Sequence, residues 1–199
     1  MSLLCYIDVE TTDRYTYSAG ITQLSAIVVR DGREIDRINI DINAFSYNRD
    51  ITVSKKALEV TGKTRMGIKK HPSAPVSFFK FTTWLTKNKR KDERYTMVAY
   101  RTQFDLECLL SFFKDQTGSD RKLYEYIEYK TLDVLQLVLF TDLYGMLPRV
   151  KNHKLETLCN IYGIDIVAHD SMSDIESTRK LHKELMESLR LPQVTLDKV

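Results

Sequence analysis

Apolar and polar positions along this chain mark out its elements in order. The apolar run from Leu3 ends at Asp8 and Glu10 and predicts a buried strand over 3–9. Two strand-like runs follow, 22–30 and 33–41, joined by Asp31-Gly32, a pair suited to a two-residue hairpin turn. Residues 54–62 predict a short helix closed by Gly62, and Pro75 stands at the first turn of a helix running through 76–86. A short strand at 96–100 leads into a helix over 102–116, where Leu106, Leu109, Leu110 and Phe113 recur at helical spacing. Next come a strand near 126–130 and a helix over 133–145 that is apolar on nearly all sides and therefore expected to be well buried. A helix over 153–163 with Gly163 at its C-terminal cap and a last helix over about 173–189 complete the pattern. Pro192 and the polar residues after it read as a loose end.

Antiparallel strands come first and strand–helix alternation follows. That order predicts an α/β fold, a mixed five-stranded sheet flanked by helices on both faces, with the most apolar strand at its centre. No internal repeat divides the chain, so 1–189 is expected to form a single domain and 190–199 a tail. A ligand is expected beyond the carboxyl end of the central strand, where Asp8 and Glu10 fall.

Composition narrows the class. With 43% apolar and 29% charged residues among 199, the chain is globular rather than disordered. No apolar run approaches the ~20 residues that span a bilayer. The N-terminus lacks the basic and small-residue features of a secretory signal. Cys5, Cys108 and Cys159 are widely spaced and make no zinc pattern; they read as buried thiols in a reducing compartment, which points to the cytoplasm. The net charge of +3 is mild, but 62–71 and 87–94 concentrate basic residues, either as solvated surface or as phosphate contacts.

Asp8 and Glu10 stand two apart on a strand and project to the same side. Two carboxylates so placed disfavour joint ionisation unless a cation lies between them, and an all-oxygen donor set suits Mg²⁺ or Mn²⁺. The pair alone leaves a metal site, a solvated strand end and a helix-capping acid all open. Asp105 and Asp174 are each the fourth residue of a Ser/Thr-x-x-Asp stretch at a helix start, which reads as a capping box and does not exclude a metal role. His169 precedes Asp174 by five, on what is expected to be a loop, where an imidazole can take a proton from water. His71, His153 and His182 read as surface or packing residues.

The stretches IDVETT, VAYRTQFDLECL and AHDSMSDIESTRKL together resemble the three motifs of the DEDDh (DnaQ-like) exonuclease superfamily, which includes the proofreading subunit of bacterial DNA polymerase III. The connecting segments SKKALEVTGKT, YKTLDVLQLV and NHKLETLCNIYGID resemble the family's as well, so the likeness covers roughly 3–185. It implies an RNase H-like fold and a nuclease, a hydrolase that removes nucleotides from the 3′ end of nucleic acid, most readily single-stranded DNA, with two divalent cations. By resemblance Asp8, Glu10 and Asp174 hold the first metal, Asp8 bridges to the second, Asp105 supports it, and His169 is the general base. Thr11 and the Thr12 side chain hold the terminal nucleotide, and Phe104 either stacks on a base or fills the core. The resemblance also implies proofreading or DNA repair and, as partner, a DNA polymerase or replication complex. An exoribonuclease on short RNA and a non-catalytic nucleic-acid-binding module share the fold. Three departures stand out: Asp13 replaces a common Gly, Tyr100-Arg101 replace His-Asn, and Ser171 replaces Ala. Arg101 is read either as a phosphate contact or as solvated, and Ser171 as a helix cap.

Overall fold

The computed structural model describes residues 2–167 and 170–189. Five strands, β1 (Leu3–Thr11), β2 (Ile21–Arg30), β3 (Arg33–Asp41), β4 (Thr96–Ala99) and β5 (Leu132–Asp133), form one sheet in the order β3-β2-β1-β4-β5. β1 runs antiparallel to β2, and β2 to β3, whereas β4 and β5 run parallel to β1. The hairpin turns at Asp31 and Gly32, with φ values of 49° and 79°, the left-handed pair that a tight hairpin requires.

Helices cover both faces. Leu3, Cys5, Ile7 and Val9 of β1 point into one core with α3 (Ala74–Lys87) and α4 (Thr102–Thr117), where Phe81, Leu85, Phe112 and Phe113 are fully buried. Leu4 and Tyr6 point the other way. They meet α5 (Val134–Leu143), α6 (Leu155–Ile161) and α7 (Ser171–Ser188) through Val138, Leu158, Ile175 and Leu181. The alternation of the strand therefore sends Asp8 and Glu10 toward the α7 layer.

Two short helices, α1 (Lys55–Thr61) and α2 (Arg65–Lys69), are capped by the Ser54 and Thr64 hydroxyls. The α1 helix ends at Gly62 with φ 66°, as expected, whereas α2 falls inside a stretch that reads as a basic loop.

Two expectations need correction. The strand near 126–130 is absent. Residues 120–125 form a 3₁₀ turn, Ile127 makes a single bridge to Tyr95, and the fifth strand is Leu132–Asp133. Leu123 and Ile127 are both fully buried and Tyr126 packs edge-on against Phe113, which holds that segment in a turn. The helix over 133–145 is not buried all round. Val134, Val138 and Thr141 face the core, while Phe140, Leu143 and Tyr144 are exposed, because only one side of α5 meets α7 and the sheet. All three cysteines are free and buried, and no helix among the described residues is long and apolar enough to cross a membrane.

Candidate active site

Asp8, Glu10 and Asp174 converge at the carboxyl end of β1, each offering a carboxylate oxygen within 4.8 Å of the others. Local structure explains how α7 delivers Asp174. Ser171, the first residue of α7, shares a hydrogen bond of 2.7 Å with Ser25 of β2, and Ser25 lies directly opposite Asp8 in the sheet. The helix start is thus pinned beside Asp8, and one turn later Asp174 faces the strand.

The capping expectations shift by one residue. The N-cap of α7 is Asp170, whose carboxylate accepts from the Ser173 N–H, and Ser171 is the first helical residue rather than the cap. The N-cap of α4 is Arg101, in the left-handed conformation at φ 68°, ψ 54°, and Thr102 is already helical. Asp174 and Asp105 therefore each stand one place beyond the capping-box position. Asp105 instead reaches across to β1, where its Oδ1 accepts from the Val9 N–H at 3.1 Å. Asp133, singled out by no sequence signal, organises this corner. Its carboxylate accepts from the N–H groups of Arg101, Thr102 and Leu135, satisfying the starts of both α4 and α5.

The electrostatics are those of crowded acids. Burial is the largest cause holding Asp8 protonated well above the usual carboxylate range, and Asp105, Glu10 and Asp174 add to it. Burial and the nearby Asp174 push Glu10 up to about 7, partly opposed by Lys63. Asp105 is also raised by burial, against the pull of backbone N–H groups. Among the described residues Lys63 is the cation that acts on Glu10; it bonds to Gln23 at 3.1 Å and lies 4.0 Å from Asp41. A donor set of three converging carboxylates, too close to ionise together alone, fits a hard divalent cation.

A groove of about 640 Å³ opens beside this cluster, between the β1 end, the loop that follows it, and α1. Glu10, Thr11, Asp13, Val60 and Phe104 line it. Phe104 also packs against the core, as one of its two readings expects, with part of it lining the groove. Thr12 requires a correction. It is fully buried, its hydroxyl donates to Thr52 O at 2.7 Å and accepts from Gly20 N at 2.9 Å, and its side chain does not line the groove. Asp13 is buried too and accepts from the Arg14 N–H. Arg101 is exposed on a neighbouring groove. The basic stretch 87–94 precedes β4 and so lies at the end of the sheet away from the acids, with Glu93 bonded to Arg30. His169 and the tail 190–199 lie outside the described residues. Val60 carried no signal of its own, and Lys63 stood only as one member of the basic stretch 62–71.

The parallel β1–β4–β5 half and the antiparallel β1–β2–β3 half form an RNase H-like fold, with acids at the end of its central strand. Residues 5–182 match the RNase_T exonuclease family, and the chain belongs to it. It is 27% identical to the PolC-type DNA polymerase III of Oceanobacillus iheyensis over 183 residues, and 29% identical to that of Bacillus subtilis over 177 residues. These alignments cover 92% and 87% of this chain but 11% of each relative, so the chain spans about a tenth of the length of the polymerases it matches. In structure it is similar to the zinc-bound form of an Escherichia coli exonuclease I–single-stranded DNA complex, with TM-score 0.77 and 17% identity over 95% of this chain and 41% of that one. Exonuclease I from Methylocaldum szegediense gives TM-score 0.77 and 16% identity over 96% of this chain and 41% of the other.

Proposed function

We propose that this chain is a 3′→5′ exonuclease domain that hydrolyses phosphodiester bonds from the 3′ end of single-stranded DNA, as a proofreading activity does. The observation that carries the reading is the meeting of Asp8, Glu10 and Asp174 within 4.8 Å beside an open groove. Single-stranded DNA is favoured because similar exonuclease I structures hold it, and a polymerase partner because the sequence relatives are polymerases. The free, buried thiols suit a cytoplasmic setting.

Asp8, Glu10 and Asp174 would hold one divalent ion, Mg²⁺ or Mn²⁺, and Asp8 with Asp105 would serve a second. Bound there, such ions offset the charge of the carboxylates and the phosphate and make water more acidic. Asp105 is oriented by the Val9 N–H, which keeps its carboxylate at the end of β1. Thr11 and Phe104 bound the space for the terminal nucleotide, and Arg101 takes a phosphate further along the strand. His169 takes the proton of the attacking water.

Incubating 5′-labelled single-stranded DNA and the matching RNA with Mg²⁺, Mn²⁺ or EDTA tests this, alongside Asp8→Ala. A metal-dependent ladder shortening from the 3′ end, strongest on DNA and absent in the variant, is the expected result. A ladder only on RNA would reassign the substrate. Binding in EDTA without any ladder would mean a non-catalytic module.

A further inference from the structure

A second groove of about 550 Å³ adjoins the first across the loop 13–17 and the start of α4. Arg14, Tyr15 and Phe104 line both, so the two form one continuous path that starts beside the carboxylates. We propose that this second groove binds the nucleotides upstream of the 3′ terminus, their bases stacking on Tyr15 and Tyr17 and their phosphates meeting Arg14 and Arg101. The inference rests on the exonuclease reading and deepens it, because it assigns the part of the strand that remains after cleavage.

Three observations carry it. First, two large rings stand in solvent side by side: Tyr15 is 46% and Tyr17 77% exposed, with ring centroids 6.0 Å apart. Stacking on exposed aromatic rings is how unpaired strands are held without regard to sequence.

Second, the groove presents two arginines that no carboxylate among the described residues pairs, Arg14 and Arg101. The Arg14 guanidinium sits 4.7 Å over the Tyr15 ring and donates to its hydroxyl at 2.6 Å. Among the described residues neither Arg14 nor Arg101 forms an ion pair. The two acids of the groove keep their charge, but hydrogen bonds turn their oxygens to other partners. Glu107 accepts from Thr16 and Gln103, and Asp133 accepts from the backbone N–H groups of Arg101, Thr102 and Leu135.

Third, the platform is set in advance. The Tyr15 carbonyl accepts from the N–H groups of Ser18 and Ala19, and Thr16 is bonded to Glu107 on α4 at 2.7 Å. The next turn is joined to the start of the α1 region by the Thr52 N–H to Ser18 O bond of 2.8 Å. A loop backbone held this way gives little of its own freedom up on binding.

Fluorescence anisotropy with 5′-fluorescein-labelled octathymidylate in EDTA reads strand binding without turnover. Tyr17→Ala should raise Kd about tenfold, while Tyr17→Phe, which keeps the ring, should stay within about twofold of the unaltered protein. Because Tyr17 is so exposed, thermal melting of both variants should match the parent. A Kd for Tyr17→Ala equal to that of the parent, or no octathymidylate binding by the parent, would overturn the inference. Hydrolysis of thymidine 5′-(p-nitrophenyl phosphate) with Mn²⁺ separates the two claims. That substrate carries one nucleoside and tests the carboxylate site without the second groove. Hydrolysis by the parent together with an unchanged Kd in Tyr17→Ala would retain the exonuclease and discard the groove. No hydrolysis would count against the exonuclease itself.

Discussion

The Asp105 carboxylate accepts the Val9 backbone N–H at 3.1 Å, joining a helix of one layer to the strand segment that carries Asp8 and Glu10 into the other. The bond exists because β1 outruns its neighbour. The last residue of β1 paired with β4 is Tyr6, opposite Val98, so Asp105 takes an N–H that the shorter strand does not reach. Asp105→Asn keeps an acceptor there and should fold normally while losing hydrolysis by at least ~10². Asp105→Ala should lose hydrolysis as well and also unfold at lower urea, by about 1–3 kcal/mol relative to the Asn variant. Paired urea melts and turnover measurements check both halves.

Crowded acids make the metal-free protein pH-sensitive in a defined direction. Glu10 has its folded pKa raised to about 7, above its unfolded value, and Asp8 and Asp105 are raised as well. Between the two values the folded state holds more protons than the unfolded one, so stability falls as pH rises. In EDTA the melting temperature should decline from about pH 5 to pH 7, Glu10→Gln should flatten the decline, and Mg²⁺ should restore what was lost. An equal decline in Glu10→Gln would take the effect away from Glu10.

Thr12 is a pin and not a contact. Thr12→Val removes the part-buried donor to Thr52 O and the buried acceptor for Gly20 N, and should cost about 1–3 kcal/mol of stability. Because the α1 region forms the far wall of the first groove, the KM for oligonucleotides should rise with it. A variant as stable as the parent would show that the loop does not depend on these bonds.

Two residues before Asp8 on β1, the Tyr6 hydroxyl meets His182 Nδ1 at 2.8 Å inside the α7 layer, and burial lowers the histidine's pKa. At pH 7.5 Tyr6→Phe leaves that nitrogen without its partner and should cost about 1–3 kcal/mol in urea unfolding. Hydrolysis measured per folded molecule should be unaffected.

Much of this was legible in the sequence, because the signals were local. The hairpin at Asp31-Gly32, the Gly62 stop of α1, the central place of β1 and the shared side of Asp8 and Glu10 all follow from turn chemistry and strand alternation. The failures share a cause. Whether α5 is buried depends on what packs against it, and a run of apolar residues does not say that Leu143 will be 81% exposed. The Ser/Thr-x-x-Asp pattern is satisfied by Thr102 and Ser171, but tertiary partners, Leu132 O for one hydroxyl and Ser25 for the other, claim those hydroxyls. Thr12 reads the same on paper whether its hydroxyl faces a groove or Thr52. The exposed Tyr15 and Tyr17 sit in a loop without periodicity, and only the neighbouring helix start gives them a role.

Asp133 has a consequence for how damage to this protein would be read. One carboxylate fastens the starts of two helices, one of which carries Asp105 and Phe104. A survey scoring substitutions only by lost activity would place Asp133 among the reacting groups. The sorting criterion is thermal, read on amide replacements: Asp105→Asn should lose hydrolysis while folding normally, whereas Asp133→Asn, which turns one accepting oxygen into a donor, would fail both tests at once.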